Sequence, residues 1–413
     1  MDTHDFSARD RSLLTEAERD KKAENERATR IVLYSHDTLG FGHLRRNLLL
    51  ADALRRCESG PEVLLIAGMR EAAAFELPAG VDCLSLPAYS KGSDGRYRPR
   101  DLGKDLGELT NLRASIIKAA ITSFEPELLI VDNVPRGAQS ELNSTLQHLR
   151  SNDPRARVVL GLRDVIDSPA MVRKQWLRQR NFEAIRDYYD EVWVYGDPDI
   201  YDLIGDCHFG EDIRRKAVYT GFLDQSVRLK SQAALPCRDA VLGDDPRPYV
   251  LCAVGGGRDG AALCEAFAAA TLPAGHRGIL ITGSQMENEE RRVIQTVVDA
   301  NPDLTLVDFI REPIVLMQGA VGIVSMGGYN TVCEVLSLGR PALIVPRVVP
   351  REEQWLRARL LEARSLIDLL HPEQLNAECL SQWMRSLDGK PEAAARSVIN
   401  MNGLGRVTEL ADR

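Results

Sequence analysis

The sequence predicts an α/β protein built from two doubly wound domains that face each other across a cleft. Three observations lead there. The chain has 413 residues, more than one hydrophobic core usually supports. Short apolar runs alternate with amphipathic helical stretches, the pattern of a parallel sheet covered on both faces. That pattern fades once, between Gly221 and Pro248, and then restarts with the same opening of strand, glycine turn and helix.

The first half opens on the strand Arg30–Ser35, the turn Gly40-Phe-Gly-His-Leu-Arg45, and a helix through Leu48, Leu49, Ala51 and Leu54. Further strands are expected at 63–67, 81–86, 128–131, 158–162 and 192–195, with helices over 109–123 and 171–188. The stretch from Pro87 to Lys104, with three glycines and Pro99, reads as a mobile loop of the length that often forms a lid. In the second half, Tyr249–Val254 is a strand, Gly255-Gly-Gly-Arg-Asp-Gly260 a glycine turn, and a helix follows through Leu263 and Phe267. Strands at 278–282, 304–307, 321–324 and 342–345 then alternate with helices over 289–298, Tyr329–Leu338 and 352–363. The organisation reads as a charged tail over 1–29, expected to be disordered, and a first domain over 30–221. A linker over 222–247, a second domain over 248–395 and a C-terminal helix or tail over 396–413 complete it.

A net charge of −8 argues against nucleic acid as the main partner, since neutralising a phosphate backbone needs a basic surface. The eight cysteines are scattered without a C-x-x-C pair and read as reduced thiols, which points to the cytoplasm. No run approaches the roughly 18 apolar residues of a membrane span.

The chemistry concentrates in Ser325-Met-Gly-Gly-Tyr-Asn-Thr-Val-Cys-Glu334. A strand runs into two glycines that open a helix, which Gly339 and Pro341 close. Val332, Val335 and Leu336 form its apolar stripe, and Asn330, Glu334 and Ser337 share the opposite face. Unpaired amides at the helix mouth, the helix dipole and glycines that let a ligand approach make an anion site. Glu334, one turn further on, is placed to accept hydrogen bonds from sugar hydroxyls. Gly255-x-Gly257-x-x-Gly260 matches a dinucleotide fingerprint, yet the next strand ends Ile281-Thr-Gly-Ser284 with no ribose-binding carboxylate. The glycines therefore read as a phosphate-cradling turn, and hydride transfer is disfavoured.

His43 begins the first helix, where the dipole disfavours imidazolium and leaves a ring able to take a proton. A helix-capping histidine is the plainer alternative. Asp197-Pro-Asp199 spells the D-x-D of metal-dependent sugar transferases, but Pro198 at a helix start favours a simple cap. No metal cluster, P-loop or nucleophile elbow is legible, so neither metal nor cofactor is expected. Arg173, Lys174, Trp176, Arg178 and Arg180 read as a solvated amphipathic face rather than a membrane-binding one.

These residues resemble the GT-B glycosyltransferases, with two Rossmann-like domains, and family 28 in particular. Gly40-Phe-Gly-His43-Leu-Arg45 is similar to the family's first glycine loop, where a histidine serves as base or contacts the acceptor. Gly255-Gly-Gly257 resembles the glycine turn beside the diphosphate, and Asp308-Phe-Ile310 the segment whose backbone reads the uracil ring. Gly327-Gly328 through Glu334 looks like the phosphate-and-ribose helix, and Glu353-Gln354 falls where the family places polar residues against the donor sugar. Where the family often has paired glutamines, this chain has Glu353 before Gln354. The resemblance implies a metal-independent, inverting glycosyltransferase with a nucleotide-sugar donor, UDP-linked, and an unnamed acceptor that is a glycan, a lipid-linked sugar or a small molecule. Gly256, Gly257, Gly327 and Gly328 would surround the diphosphate, Ile310 meet the base, Glu334 the ribose, and Glu353 and Gln354 the sugar, with Asn330 also on the donor side. His43 would be the base, with Gly42, Arg45, Asp132, Arg163 and Asp164 on the acceptor side. The resemblance leaves room for peripheral contact with the inner face of the membrane. A nucleotide-sugar hydrolase with a similar opening loop, in which His43 activates water, is the alternative, and a non-catalytic nucleotide-sugar sensor is a second.

Overall fold

The computed structural model describes residues 29–36, 41–57, 59–69, 72, 75–92, 96–153, 155–230, 234–388 and 398–413. The expected tail over 1–28 lies outside the described residues, as do Gly40, Gly95 and residues 396–397.

The strands, in chain order, are β1 (Arg30–Ser35), β2 (Glu62–Ala67), β3 (Val81–Ser85), β4 (Tyr89–Lys91), β5 (Tyr97–Pro99), β6 (Leu128–Asp132), β7 (Arg157–Arg163), β8 (Glu191–Tyr195) and β9 (Ala217–Tyr219). In the second half come β10 (Tyr249–Ala253), β11 (Arg277–Ile281), β12 (Leu304–Val307), β13 (Gly322–Ser325), β14 (Ala342–Ile344) and β15 (Asp368–Leu369). One parallel sheet runs β3-β2-β1-β6-β7-β8-β9, the other β12-β11-β10-β13-β14-β15. The central strands are buried end to end, as the unbroken apolar runs of β6 and β10 require when helices cover both faces. In each sheet the order reverses once, between β1 and β6 and between β10 and β13. At such a point successive connections leave for opposite faces, and a crevice opens beyond the carboxyl ends of the strands. The glycine loops singled out in the sequence follow β1, β10 and β13, so all three sit at these crevices.

Several details depart from the sequence reading. The stretch read as a mobile loop after Pro87 carries the antiparallel hairpin β4–β5. A fully buried hub anchors it: Glu141 accepts from Arg113 Nε and Nη2, both at 2.7 Å, from Tyr89 Oη at 2.7 Å, and from Tyr34 Oη. The helix expected over 171–188 is two, Pro169–Arg178 and Asn181–Tyr188, divided at Arg180, whose φ is 55°. The stretch expected as a linker holds a 3-10 turn, Ser226–Lys230, and a helix, Ala234–Leu242. The chain ends by returning to the first half. Phe222 N–H donates to Asn400 O at 2.8 Å, Leu223 bridges Asn402, and the helix Gly403–Ala411 buries Val407 and Leu410 in one cluster with Leu50 and Leu54.

The two halves are joined by a buried ion pair. Arg357, on the helix Glu353–Glu362, donates Nε to Asp164 Oδ2 at 2.8 Å and Nη2 to Oδ1 at 2.6 Å, just past the end of β7. Its Nη1 also donates to Gly327 O at 2.9 Å. Both side chains are buried, so removing one partner strands the other's charge in a low-dielectric interior. Arg357→Met is expected to destabilise the protein by about 3–5 kcal/mol in urea unfolding, and adding Asp164→Leu to recover part of that loss.

Candidate active site

In the first domain β1 delivers His43 on the helix Gly42–Leu54, and the neighbouring β6 delivers Asp132 at its carboxyl end. The two meet: His43 Nδ1 hydrogen-bonds Asp132 Oδ2. Arg46, three residues after His43 and on the same helix face, grips that carboxylate with Nε at 2.9 Å and Nη2 at 2.6 and 2.7 Å. Burial alone would raise the Asp132 carboxyl, but Arg46 and then His43 outweigh it and hold it well below the usual carboxylate range. An ionised acceptor on Nδ1 fixes the tautomer, with the proton on Nδ1 and the lone pair on Nε2. The His43 side chain is one-fifth exposed. The His36 ring lies 4.8 Å from that of His43, tilted by 52°, and burial above all pushes its own pKa well below the usual value.

In the second domain the helix Tyr329–Leu338 opens at Gly328 and closes at Gly339, whose φ of 66° provides the left-handed stop. The helix mouth faces the first domain, because Asn330 Nδ2 donates to Gly42 O at 2.8 Å. Asn330 Oδ1 is buried with no hydrogen-bond partner among the described residues. Gly257 and Gly328 have opposite reasons to be glycine. Gly257 has φ 93°, and a Cβ there would stand 2.1 Å from Thr282 O. Gly328 has ordinary φ and nothing within 4 Å of where a Cβ would go, so the fold itself leaves that space open to a ligand. Gly256 lies beside Gln285, and a Cβ on Gly327 would press on Gln354 at 3.1 Å.

Other expected site residues are placed differently. Glu334 and Ser337 are not on a solvated face: Arg228 Nη1 donates to Glu334 at 2.6 Å, and Gln225 N–H donates to Ser337 Oγ at 2.8 Å. Arg45 does not sit on the acceptor side. Its Nη2 donates to Arg311 O at 3.0 Å, beside a cavity of about 300 Å³ that Arg228 and Glu312 also line. Asp164 is consumed by Arg357 and is closed to an acceptor. Arg163, at the end of β7, keeps its Nε buried with no hydrogen-bond partner among the described residues, and burial lowers its pKa to about 10. The Ile310 side chain belongs to the core, leaving only its backbone to meet a base, while the adjacent Phe309 ring is exposed 5.9 Å from Phe41. Glu353 accepts from Arg347 Nη2 at 2.6 Å, and Gln354 Oε1 accepts from Arg347 N–H at 2.9 Å. Asp197 of the D-x-D accepts from Asp199 N–H at 3.0 Å and Asn400 N–H at 2.7 Å, a turn and a chain crossing.

Sequence reasoning missed Arg46, Arg228, Arg347 and Tyr329. Only Arg46 left a signal, its i, i+3 spacing from His43. The Tyr329 ring lies 5.6 Å from the Arg46 guanidinium and 5.7 Å from that of Arg357, and its hydroxyl donates to Tyr195 O at 2.9 Å.

Residues 251–406 match the glycosyltransferase family 28 C-terminal domain. The chain has the GT-B fold, and its second half is similar to the family 28 C-terminal domain. Over 203 residues it is 26% identical to the UDP-N-acetylglucosamine–N-acetylmuramyl-(pentapeptide) pyrophosphoryl-undecaprenol N-acetylglucosamine transferase of Paramagnetospirillum magneticum, covering 48% of this chain and 54% of that protein. The chain thus spans about half the length of the curated relatives it matches. Among solved structures, MurG of Acinetobacter baumannii superposes with a TM-score of 0.55 at 15% identity, covering 93% of this chain and 99% of that one. The UDP-GlcNAc 2-epimerase of Neisseria meningitidis, bound to UDP-GlcNAc, gives 0.61 at 15% identity, covering 93% and 98%. These likenesses establish the GT-B fold. Among the described residues no helix is long and apolar enough to cross a membrane.

Two predictions follow from this geometry. Gly328→Ala in the GT-B protein should leave the melting temperature unchanged or slightly raised but weaken binding of nucleoside diphosphates, whereas Gly257→Ala should lower the melting temperature outright. Neutral, buried His36 adds stability that is fully present above its unfolded pKa near 6.5 and is lost as the pH falls below it. In urea melts between pH 6.5 and 5, His36→Gln should therefore flatten the fall in stability by up to about 1.4 kcal/mol per pH unit.

Proposed function

We propose that the protein transfers a sugar from a nucleoside diphosphate sugar, with UDP as the nucleotide, to a hydroxyl acceptor by an inverting displacement that uses no metal ion. The observation that carries this is the meeting of His43 and the Tyr329–Leu338 helix mouth through Asn330 and Gly42. One crevice offers a base with its lone pair on Nε2, and the other offers unpaired amides and a helix dipole for a diphosphate. The matched C-terminal family and the donor named in the curated relative favour a UDP-sugar.

In this reading the diphosphate rests against the amides after Gly328 and the glycine turn at Gly256 and Gly257. The base lies along the backbone at Ile310, the ribose toward Glu334, and the sugar toward Glu353 and Gln354. His43 Nε2 takes the proton of the acceptor hydroxyl as its oxygen attacks the anomeric carbon. The bond from that carbon to the diphosphate oxygen breaks, the leaving UDP keeps the electron pair, and amides already oriented toward its oxygens stabilise the charge. Asp132, clamped by Arg46, stabilises the imidazolium that forms. Asp132 and Arg46 thus position His43. The acceptor enters from the first-domain side, with Gly42 and Arg163 at its edge. The protein would work in the cytoplasm, with the exposed Met171 and Leu177 among the basic residues of the Pro169–Arg178 helix available for contact with the inner membrane face.

A thermal-shift panel of UDP, GDP, dTDP and their sugars tests the donor site. UDP at 100 times its dissociation constant should add about 2.7 kcal/mol of stability, and no response to any nucleotide would defeat the assignment. His43→Ala should cut transfer by about 10²–10⁴-fold and leave UDP affinity within about twofold. Free sugar released at the full rate without an acceptor would instead identify a hydrolase.

A further inference from the structure

Arg347 lies in the turn after β14 that leads into the helix Glu353–Glu362. Sheet order sets β13 between β10 and β14, so the turns after these three strands lie side by side, with Gly327 and Gly328 in the middle. Arg347 spans them. Its Nη1 donates to Asp259 Oδ2 at 2.9 Å, in the glycine turn after β10, and its Nη2 donates to Glu353 Oε1 at 2.6 Å. Its backbone N–H donates to Gln354 Oε1 at 2.9 Å, and the backbone of Gln354 borders Gly327. The guanidinium is therefore strung across the carboxyl edge of the sheet beside the mouth of the Tyr329–Leu338 helix.

Two features of this bridge are unfinished. Arg347 Nε and Glu353 Oε2 are both buried, and neither has a hydrogen-bond partner among the described residues. One guanidinium also serves two carboxylates at once, while Arg163 and Arg357 lie close enough to act on Glu353 as well. A diphosphate arriving at the helix mouth would compete with these carboxylates for the Arg347 guanidinium. A carboxylate must give way, and Glu353 is the one next to the expected sugar position.

We propose that Arg347 neutralises the donor diphosphate, which takes the place of Glu353 on the guanidinium, and that Glu353, once released, turns to the hydroxyls of the donor sugar. The proposal rests on the donor-site reading above and deepens it. Asp259 stays paired and keeps the guanidinium across the glycine turn, while the unused Nε–H gains a phosphate oxygen. No covalent bond changes, and one ion pair is exchanged for another. Recognition of the sugar thereby depends on arrival of the diphosphate, so a free sugar finds Glu353 already occupied.

The alternative is that Arg347 only fastens two loops together. Calorimetric titration of the full chain with UDP and with uridine separates the two. Arg347→Met should weaken UDP by about 10–100-fold and leave uridine within about twofold, and Arg347→Lys should restore part of the loss. Glu353→Gln should tighten UDP, because the competing carboxylate is gone. UDP affinity unchanged in Arg347→Met, uridine falling in parallel with UDP, or weaker UDP binding in Glu353→Gln would each overturn the proposal. Wild-type protein that binds neither UDP nor uridine would overturn the donor-site reading itself.

Discussion

The Tyr329 ring, in contact with two guanidinium groups, is the contact on which the arrangement of this protein turns. Tyr329 is the first residue of the helix whose mouth forms the proposed anion site, and its buried ring lies 5.6 Å from the guanidinium of Arg46 in the first domain and 5.7 Å from that of Arg357 in the second. Desolvated cation–aromatic contacts of this kind are worth about 2 kcal/mol or more each. Their geometry matters more than their sum. Arg46 also clamps Asp132, and through it His43, while Arg357 also clamps Asp164 and holds Gly327 O. One aromatic ring thus couples His43 of one domain to the helix terminus of the other, and the Tyr329 hydroxyl fixes its depth by donating to Tyr195 O at the end of β8.

The ion pairs around that ring are poor sources of net stability, because desolvating both partners offsets most of their attraction. What they supply is geometry. Asp132 stays ionised because Arg46 and His43 outweigh its burial, and an ionised Asp132 can hold only one tautomer of His43. Asp164, committed to Arg357, marks where the two domains close. The same economy recurs at Arg347, where a guanidinium pairs with two carboxylates beside the proposed anion site.

Much of this was legible in the sequence because strand–glycine–helix turns carry their own physics. The turns after Ser35, Ala253 and Ser325 could be placed at carboxyl edges from apolar runs and glycines alone, and sheet order then brought them to the two switch points. The family 28 domain follows from the same residues. Long-range polar pairing was not legible. Nothing local to Glu334 says that Arg228 will hold it, and nothing local to Asp164 says that a helix nearly two hundred residues away will claim it. Arg45 was assigned to the wrong side because helix phase gives direction from the axis and not which domain lies beyond it. β9 and β15, at three and two residues, are too short to show a period, and they form only because a neighbouring strand offers its edge. The hairpin after Pro87 was hidden for another reason. Its anchor is the buried Arg113–Glu141 pair, which a hydropathy pattern reads as solvent-facing charge.

A crystal structure of the protein with UDP bound tests the central claim most directly. The account predicts the diphosphate against the amides following Gly328, its β-phosphate on the side of the crevice that His43 Nε2 faces, and the ring of Tyr329 still between Arg46 and Arg357. UDP lodged elsewhere, or a diphosphate turned away from His43, would contradict it.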